Sequence, residues 1–201
     1  TPAIRTLSTG PHKDNTLYES SSGDLSNARG QYLFVGRTGG ADSIRRGLVS
    51  FDVSTIPASS DIESVSLRMK MSNTATTTAI VSLHRLLADW GEGTSAVGGG
   101  GGSGAPASPG DATWTFRFFD TEPWATQGGD FASQPSASLT VGQVGAYVWS
   151  SPGMIDDVRE WLDDPSSSYG WVLIGDETVG GTRQRFDSRE NEVADDRPFW
   201  K

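Results

Sequence analysis

The chain has 201 residues with a formal net charge of −9 and a pI near 4.6, so its surface repels nucleic-acid phosphates and anionic membranes alike. It contains no cysteine, which excludes disulfides and thiolate metal sites, and no apolar run approaches the ~20 residues needed to span a bilayer. The length fits one domain covering 1–201, and a chain that opens on Thr1 with its first methionine at Met69 reads as a processed, secreted protein acting outside the cell or on its surface.

Period-two alternation dominates the elements. QYLFVG (31–36) is the first clear strand. GLVSFDV (47–53) sets Val49, Phe51 and Val53 on one face, and VSLRMKM (65–71) opposes Val65, Leu67, Met69 and Met71 to Ser66, Arg68 and Lys70. TAIVSLHRL (78–86), ATWTFRF (112–118), VGAYVWS (144–150) and GWVLIGD (170–176) continue the pattern, with turn-rich stretches such as RTGGADS, DVSTIPASSD and TVGGT between them. Residues 91–112 are low-complexity, with five consecutive glycines, and predict a flexible surface loop. It is no phosphate cradle of the P-loop kind, because no Lys-Ser or Lys-Thr follows. In SSPGMIDDVREWLDDP (150–165) the period changes: Met154, Val158 and Trp161 fall at i, i+4, i+7. Ser151 is placed to cap, Pro152 to open the first turn, Asp156 and Asp157 to sit at its positive end, and Pro165 to stop it. The expectation is an all-β fold, a two-sheet antiparallel sandwich, with one short helix at about 151–163.

Several stretches in order resemble the DNRLRE domain family, secreted modules related to carbohydrate-binding modules. They are KDNTLYE (13–19), LSNARGQYLFVGR (25–37), IRRGLVSFDVSTIPASSDIESVSLRM (44–69), LHRLLADWGEG (83–93), GWVLIGD (170–176) and RFDSREN (185–191). The resemblance spans nearly the whole chain and implies a jelly-roll sandwich with a non-catalytic role, glycan binding being known for some relatives. One departure stands out. The family continues past its Ser-Arg-Glu region into a Pro and a final Leu-x-Val-x-Tyr strand, whereas ADDRPFWK reaches Pro198 and stops at Lys201. A sandwich lacking that strand exposes an unpaired edge, and the short end reads either as a truncation or as a slot that a neighbouring chain fills.

The polar constellations are weighed next. In RFDSREN a glycosidase pair would be Asp187 and Glu190. Arg185 and Arg189 beside them would lower a carboxyl pKa, the wrong direction for a general acid. The preferred account is a structural lock in which Arg185, Asp187, Arg189 and Glu190 fork to Arg45, Arg46 or Asp52. Asp89 and Glu92 flank Trp90 and offer either a sugar-handling corner or a plugged turn. Trp149, Trp161 and Trp171 read as core. Trp124, beside Pro123, and Trp114 are the candidate stacking faces for a pyranose ring. Glu19, Asp24 and Asn27 lie in a Ser/Gly-rich turn where a structural Ca²⁺ would need six to eight oxygens; a solvated turn is the plainer account. His12 and His84 lack evident Ser or Asp partners, and no G-x-S-x-G elbow occurs. The expected function is a non-catalytic module binding extracellular or cell-wall polysaccharide. The alternative is a structural subunit of an adhesin, surface layer or filament, assembling through strand edges.

Overall fold

The computed structural model describes residues 4–201. In chain order the strands are β1 (Lys13–Tyr18), β2 (Leu25–Ser26), β3 (Tyr32–Arg37), β4 (Ile44–Ser50), β5 (Ser66–Thr74), β6 (Ala79–Arg85), β7 (Ala105–Pro106), β8 (Phe116–Phe118), β9 (Glu122–Pro123), β10 (Ala137–Val141) and β11 (Gly145–Ser150). Then come α1 (Pro152–Asp163), β12 (Trp171–Ile174), β13 (Gln184–Asp187) and β14 (Phe199–Trp200). The fold is thus mostly β with one short α-helix among the described residues.

Ten strands join in one curled antiparallel sheet, ordered β10-β6-β12-β4-β3-β13-β5-β11, with β1 beside β4 and β14 beside β5. β3 carries the curl. Its Tyr32–Val35 stretch pairs with β13, and its last two residues, Gly36 and Arg37, pair with β4. Alternation places the core as expected: Val49, Phe51, Val53, Val65, Leu67, Met69 and Met71 are all buried and belong to one cluster. A second cluster, around Leu17, Leu48, Trp90 and Val172, forms on the other side of β1, β4 and β12.

The helix forms where its period places it. Ser151 Oγ accepts the Met154 N–H at 3.2 Å, Pro152 supplies a pre-set φ, and Met154, Val158, Trp161 and Leu162 turn inward. Trp161 packs on Trp171 with ring centroids 4.7 Å apart. Asp156 and Asp157 fall in the second turn rather than at the positive end where they were expected, and Asp157 has a different part. It is buried, accepts the Trp171 Nε1–H at 2.6 Å and lies 3.3 Å from Arg85 Nε.

Three expectations need correction. ATWTFRF is strand only over Phe116–Phe118, because Thr113 Oγ1 accepts the Phe116 N–H at 3.0 Å and turns the chain. The 91–112 segment is held down along most of its length: Ala105–Pro106 pairs with β2, Tyr18 Oη donates to the Gly101 carbonyl at 2.9 Å, and Asp111 accepts the N–H groups of Thr94 and Ser108. Gly98, Gly99 and Gly100 are the stretch with open space around them. The chain end, read as lacking a last strand, supplies a short one, β14, which pairs with β5 and buries Trp200 against Phe51 at 5.5 Å.

Candidate functional site

The densest polar constellation lies where β1, the 91–93 corner and the turn after β13 meet. Gly91 and Gly93 bring Glu92 there. A Cβ at Gly91 would fall 1.8 Å from the Gly110 carbonyl oxygen, and one at Gly93 would fall 1.6 Å from Asp111 Oδ1, so only glycine allows this approach. Glu92 Oε1 accepts Arg189 Nε–H at 2.7 Å and the Asp14 N–H at 2.9 Å, while its Oε2 accepts Arg189 Nη2–H at 2.6 Å. The two-pronged fork is the geometry that carboxylate and guanidinium favour. Asp14 Oδ2 accepts the Arg189 backbone N–H at 2.8 Å, and Arg29 Nη1 lies 3.4 Å from both Glu92 Oε2 and Glu190 Oε1.

Three carboxyls here face two guanidiniums. Asp14 is fully buried, and burial, followed by the Glu190 charge, pushes its carboxyl well above the ordinary range. Glu190 is raised too, by burial first, against the pull of Arg189. Its buried Oε2 has no hydrogen-bond partner. Both acids therefore hold a proton to higher pH than a solvated carboxyl does.

Among the described residues, Asp14, Glu92 and Glu190 are the one trio of acids whose oxygens, within 4.8 Å of one another, could hold a metal ion. The donors fit a cation poorly, since both Glu92 oxygens already meet Arg189, and a cation would stand beside two guanidiniums. Glu19, Asp24 and Asn27 do not converge. Glu19 Oε2 accepts the Ile44 N–H, Asp24 pairs with the Ser22 hydroxyl, and Asn27 Oδ1 accepts the Val97 N–H. Their oxygens satisfy three separate turns, which is why no cation cage forms from them.

Arg189 and Glu190 are ion-paired, but with Glu92, Arg29 and each other, not with Arg45, Arg46 or Asp52. Arg45 donates to the Glu19 and Ile44 carbonyls and lies over the Tyr18 ring. Arg46 forks to Glu177 at 2.7 and 2.9 Å and covers Trp114. Asp52 is exposed and accepts the Ser54 N–H. Arg185 stacks 3.9 Å over Tyr32 and donates to Ser72, and the neighbouring buried Asp187 forms no ion pair among the described residues. Alternation along β13 sends Arg185 and Asp187 to the face opposite Gln184 and Phe186, where Arg185 meets Tyr32 and Ser72 in place of the expected partners.

The candidate stacking tryptophans are sealed. Trp124 is 5% exposed with Nε1–H bonded to the Thr113 carbonyl, Trp114 is 8% exposed, and Trp90 is 1% exposed with Nε1–H bonded to the Tyr169 carbonyl. Asp89 is exposed but paired with Lys13 at 2.7 Å. His84 hydrogen-bonds Ser82 and the Ala132 carbonyl rather than a carboxylate.

Surface hollows lie elsewhere. One, of about 620 Å³, has Val53, Ile56, Pro57 and Leu162 in its walls and His12, Asp52, Ser54 and Ser168 among its polar groups. A second, of about 590 Å³, lies between β13 and the polyglycine stretch. Neither is lined by Asp14, Glu92, Arg189 or Glu190. Sequence reasoning missed the His12–Asp52 hollow, since its walls come from three distant segments; the exposed turn TIPAS was the one local signal. No family model matches the sequence, and no match was found among curated proteins.

Proposed function

We propose that the protein is a non-catalytic, secreted module that binds extracellular or cell-wall polysaccharide, and that its curled sheet is a two-layer jelly-roll sandwich. The sandwich reading is supported by the main core, in which Val49, Leu83 and Leu173 from one arm of the sheet share a cluster with Leu67, Met71, Trp149 and Phe186 from the other. The observation that carries the function is the separation of acid from hollow. The raised carboxyls of Asp14 and Glu190 lie beside Arg29 and Arg189 and line neither surface hollow, while the larger hollow joins an aliphatic wall to hydroxyl and imidazole groups and the exposed Asp52. A sugar uses that combination, its C–H face against apolar carbon and its hydroxyls on polar groups. Burial and the adjacent Lys13 lower the His12 pKa, keeping the ring neutral and able both to donate and to accept at pH 7. The test is a glycan array probed with the wild type and Asp52→Ala. Binding lost in the variant, with the urea midpoint unchanged, supports the reading; hits that survive it, or reducing ends released from any polysaccharide, refute it.

A second reading, a subunit of a filament or surface layer, is favoured by β11. It ends the strand order, leaves one edge unpaired, and exposes Val148 at 50% beside Val144 at 61%. Concentration-dependent polymers in negative-stain microscopy that vanish in Val148→Lys would establish it.

A further inference from the structure

Six of the chain's thirteen arginines meet a carboxylate, namely Arg29, Arg46, Arg85, Arg117, Arg159 and Arg189. Arg183 and Arg185 do not, among the described residues. Arg183 donates to Asn73 Oδ1 at 2.7 Å, and Arg185 donates to the Ser72 hydroxyl and carbonyl. Both line the open hollow of about 590 Å³ on the outer face of β13. Burial, and after it the Arg185 charge, lower the Arg183 pKa, so the pair is a like-charge contact lacking a counter-ion among the described residues. Asp187, which feels the Arg185 charge, forms no ion pair with either arginine among the described residues, and burial raises its pKa.

The opposite wall of the hollow is the polyglycine stretch. Gly98, Gly100, Gly102 and Ser103 line it, and none of their N–H groups donates to a protein acceptor among the described residues. Gly99 and Gly101 take φ of 70° and 73°, the left-handed region interleaved with other glycines, a backbone form that gathers N–H groups into anion-binding concavities. A Cβ at Gly98 or Gly100 would meet nothing within 4 Å, so packing is not what requires glycine there.

We propose that this hollow is a binding site for a tetrahedral oxyanion, a sulfate or phosphate group, held between the Arg183–Arg185 guanidiniums and the peptide N–H groups of 98–103. A planar carboxylate has two oxygens and is saturated by a single guanidinium fork. A tetrahedral group offers three or four oxygens in three dimensions and can be met from both walls at once. The site is independent of the His12–Asp52 hollow and extends beyond the glycan reading.

The experiment is calorimetric titration at constant ionic strength with inorganic sulfate, inorganic phosphate and acetate. Saturable binding of sulfate or phosphate, weakened at least about tenfold in both Arg183→Gln and Arg185→Gln and not matched by acetate, is the expected result; a factor of ten is one lost charge-assisted hydrogen bond. Gly100→Pro removes one N–H without touching either arginine and should weaken binding as well, with urea midpoints confirming that each variant is folded. Dextran sulfate against neutral dextran then distinguishes a sulfated polymer from free phosphate as the source of the group. Absence of saturable binding, equal binding of acetate, or folded arginine variants that bind like the wild type would each overturn the proposal. Glycan-array hits sensitive to Asp52→Ala would stand in any of those cases, so the two readings fail separately.

Discussion

Glu92→Gln isolates the brace that joins the 91–93 corner to the turn after β13. The amide is isosteric, so its oxygen still accepts the Asp14 N–H, but the fork to Arg189 keeps one prong and loses its charge. Glu92 is 11% exposed at its side chain and Arg189 is 27%. Severing a fully buried pair costs about 3–5 kcal/mol, and partial solvation of Arg189 brings the loss toward the lower end. One compensation is built into the cluster. Glu92 is also a like charge to Asp14 and Glu190, so its removal relieves repulsion that raises both. The net expectation is about 2 kcal/mol of destabilisation at pH 7, a fall of roughly 4–8 °C in Tm for a chain of this size. Urea unfolding of Glu92→Gln, Arg189→Gln and the double variant should give a coupling energy of at least about 1 kcal/mol. Asp89→Asn is the control. Its partner Lys13 is also close, but Asp89 is 51% exposed, and the change should cost less than about 1 kcal/mol. If Glu92→Gln is as mild as Asp89→Asn, or the coupling vanishes, the brace contributes nothing and the assignment of these acids as structural fails.

Asp14→Asn should act in the opposite direction and depend on pH. A carboxyl whose folded pKa is raised binds more protons folded than unfolded, so wild-type stability falls as pH rises from about 4 to the folded pKa and is level above it. The amide has no charge to bury, so the stability gap in its favour should widen over that window; urea midpoints from pH 4.5 to 8 measure it, and a constant gap would contradict the assignment. Trp124→Ala should destabilise by about 3–5 kcal/mol, because the ring is sealed and its Nε1–H bonds the Thr113 carbonyl; a variant as stable as the wild type by urea unfolding would mean that the ring is not packed.

What the sequence disclosed and what it concealed divide along contact distance. Alternation in VSLRMKM and the i, i+4, i+7 pattern after Ser151 depend on neighbours a few residues away, so α1 was legible to within a residue and β5 to within three. β14 was not, because two residues show no period and Phe199–Trp200 becomes a strand only through β5, more than a hundred positions earlier. The lock illustrates the same limit. RFDSREN announced that its charges would pair, but Glu92 is 97 residues from Arg189, and nothing local favours it over Asp52. Alternation would have put Arg185 and Arg189 on one face; they part because β13 ends at Asp187 and the turn after it carries Arg189 to Glu92. The carboxyl and guanidinium types were readable; their partners were a property of the folded topology.

The tryptophans sharpen the question of how a glycan could be held. All seven are buried, several with the indole N–H bonded to a carbonyl or carboxylate, so no indole face remains for a pyranose to stack on. A module of this kind that binds sugar must then rely on aliphatic wall and hydrogen bonds, which gives weaker contact per residue but reads the positions of hydroxyls. The His12–Asp52 hollow has that character, with proline, valine and leucine carbon next to imidazole, carboxylate and hydroxyl. Its recognition should therefore track hydroxyl stereochemistry, so that epimers differing at one carbon are separated by the unpaired polar groups the wrong one leaves behind. Equal binding of such epimers would argue against this hollow as the sugar site and in favour of assembly through β11.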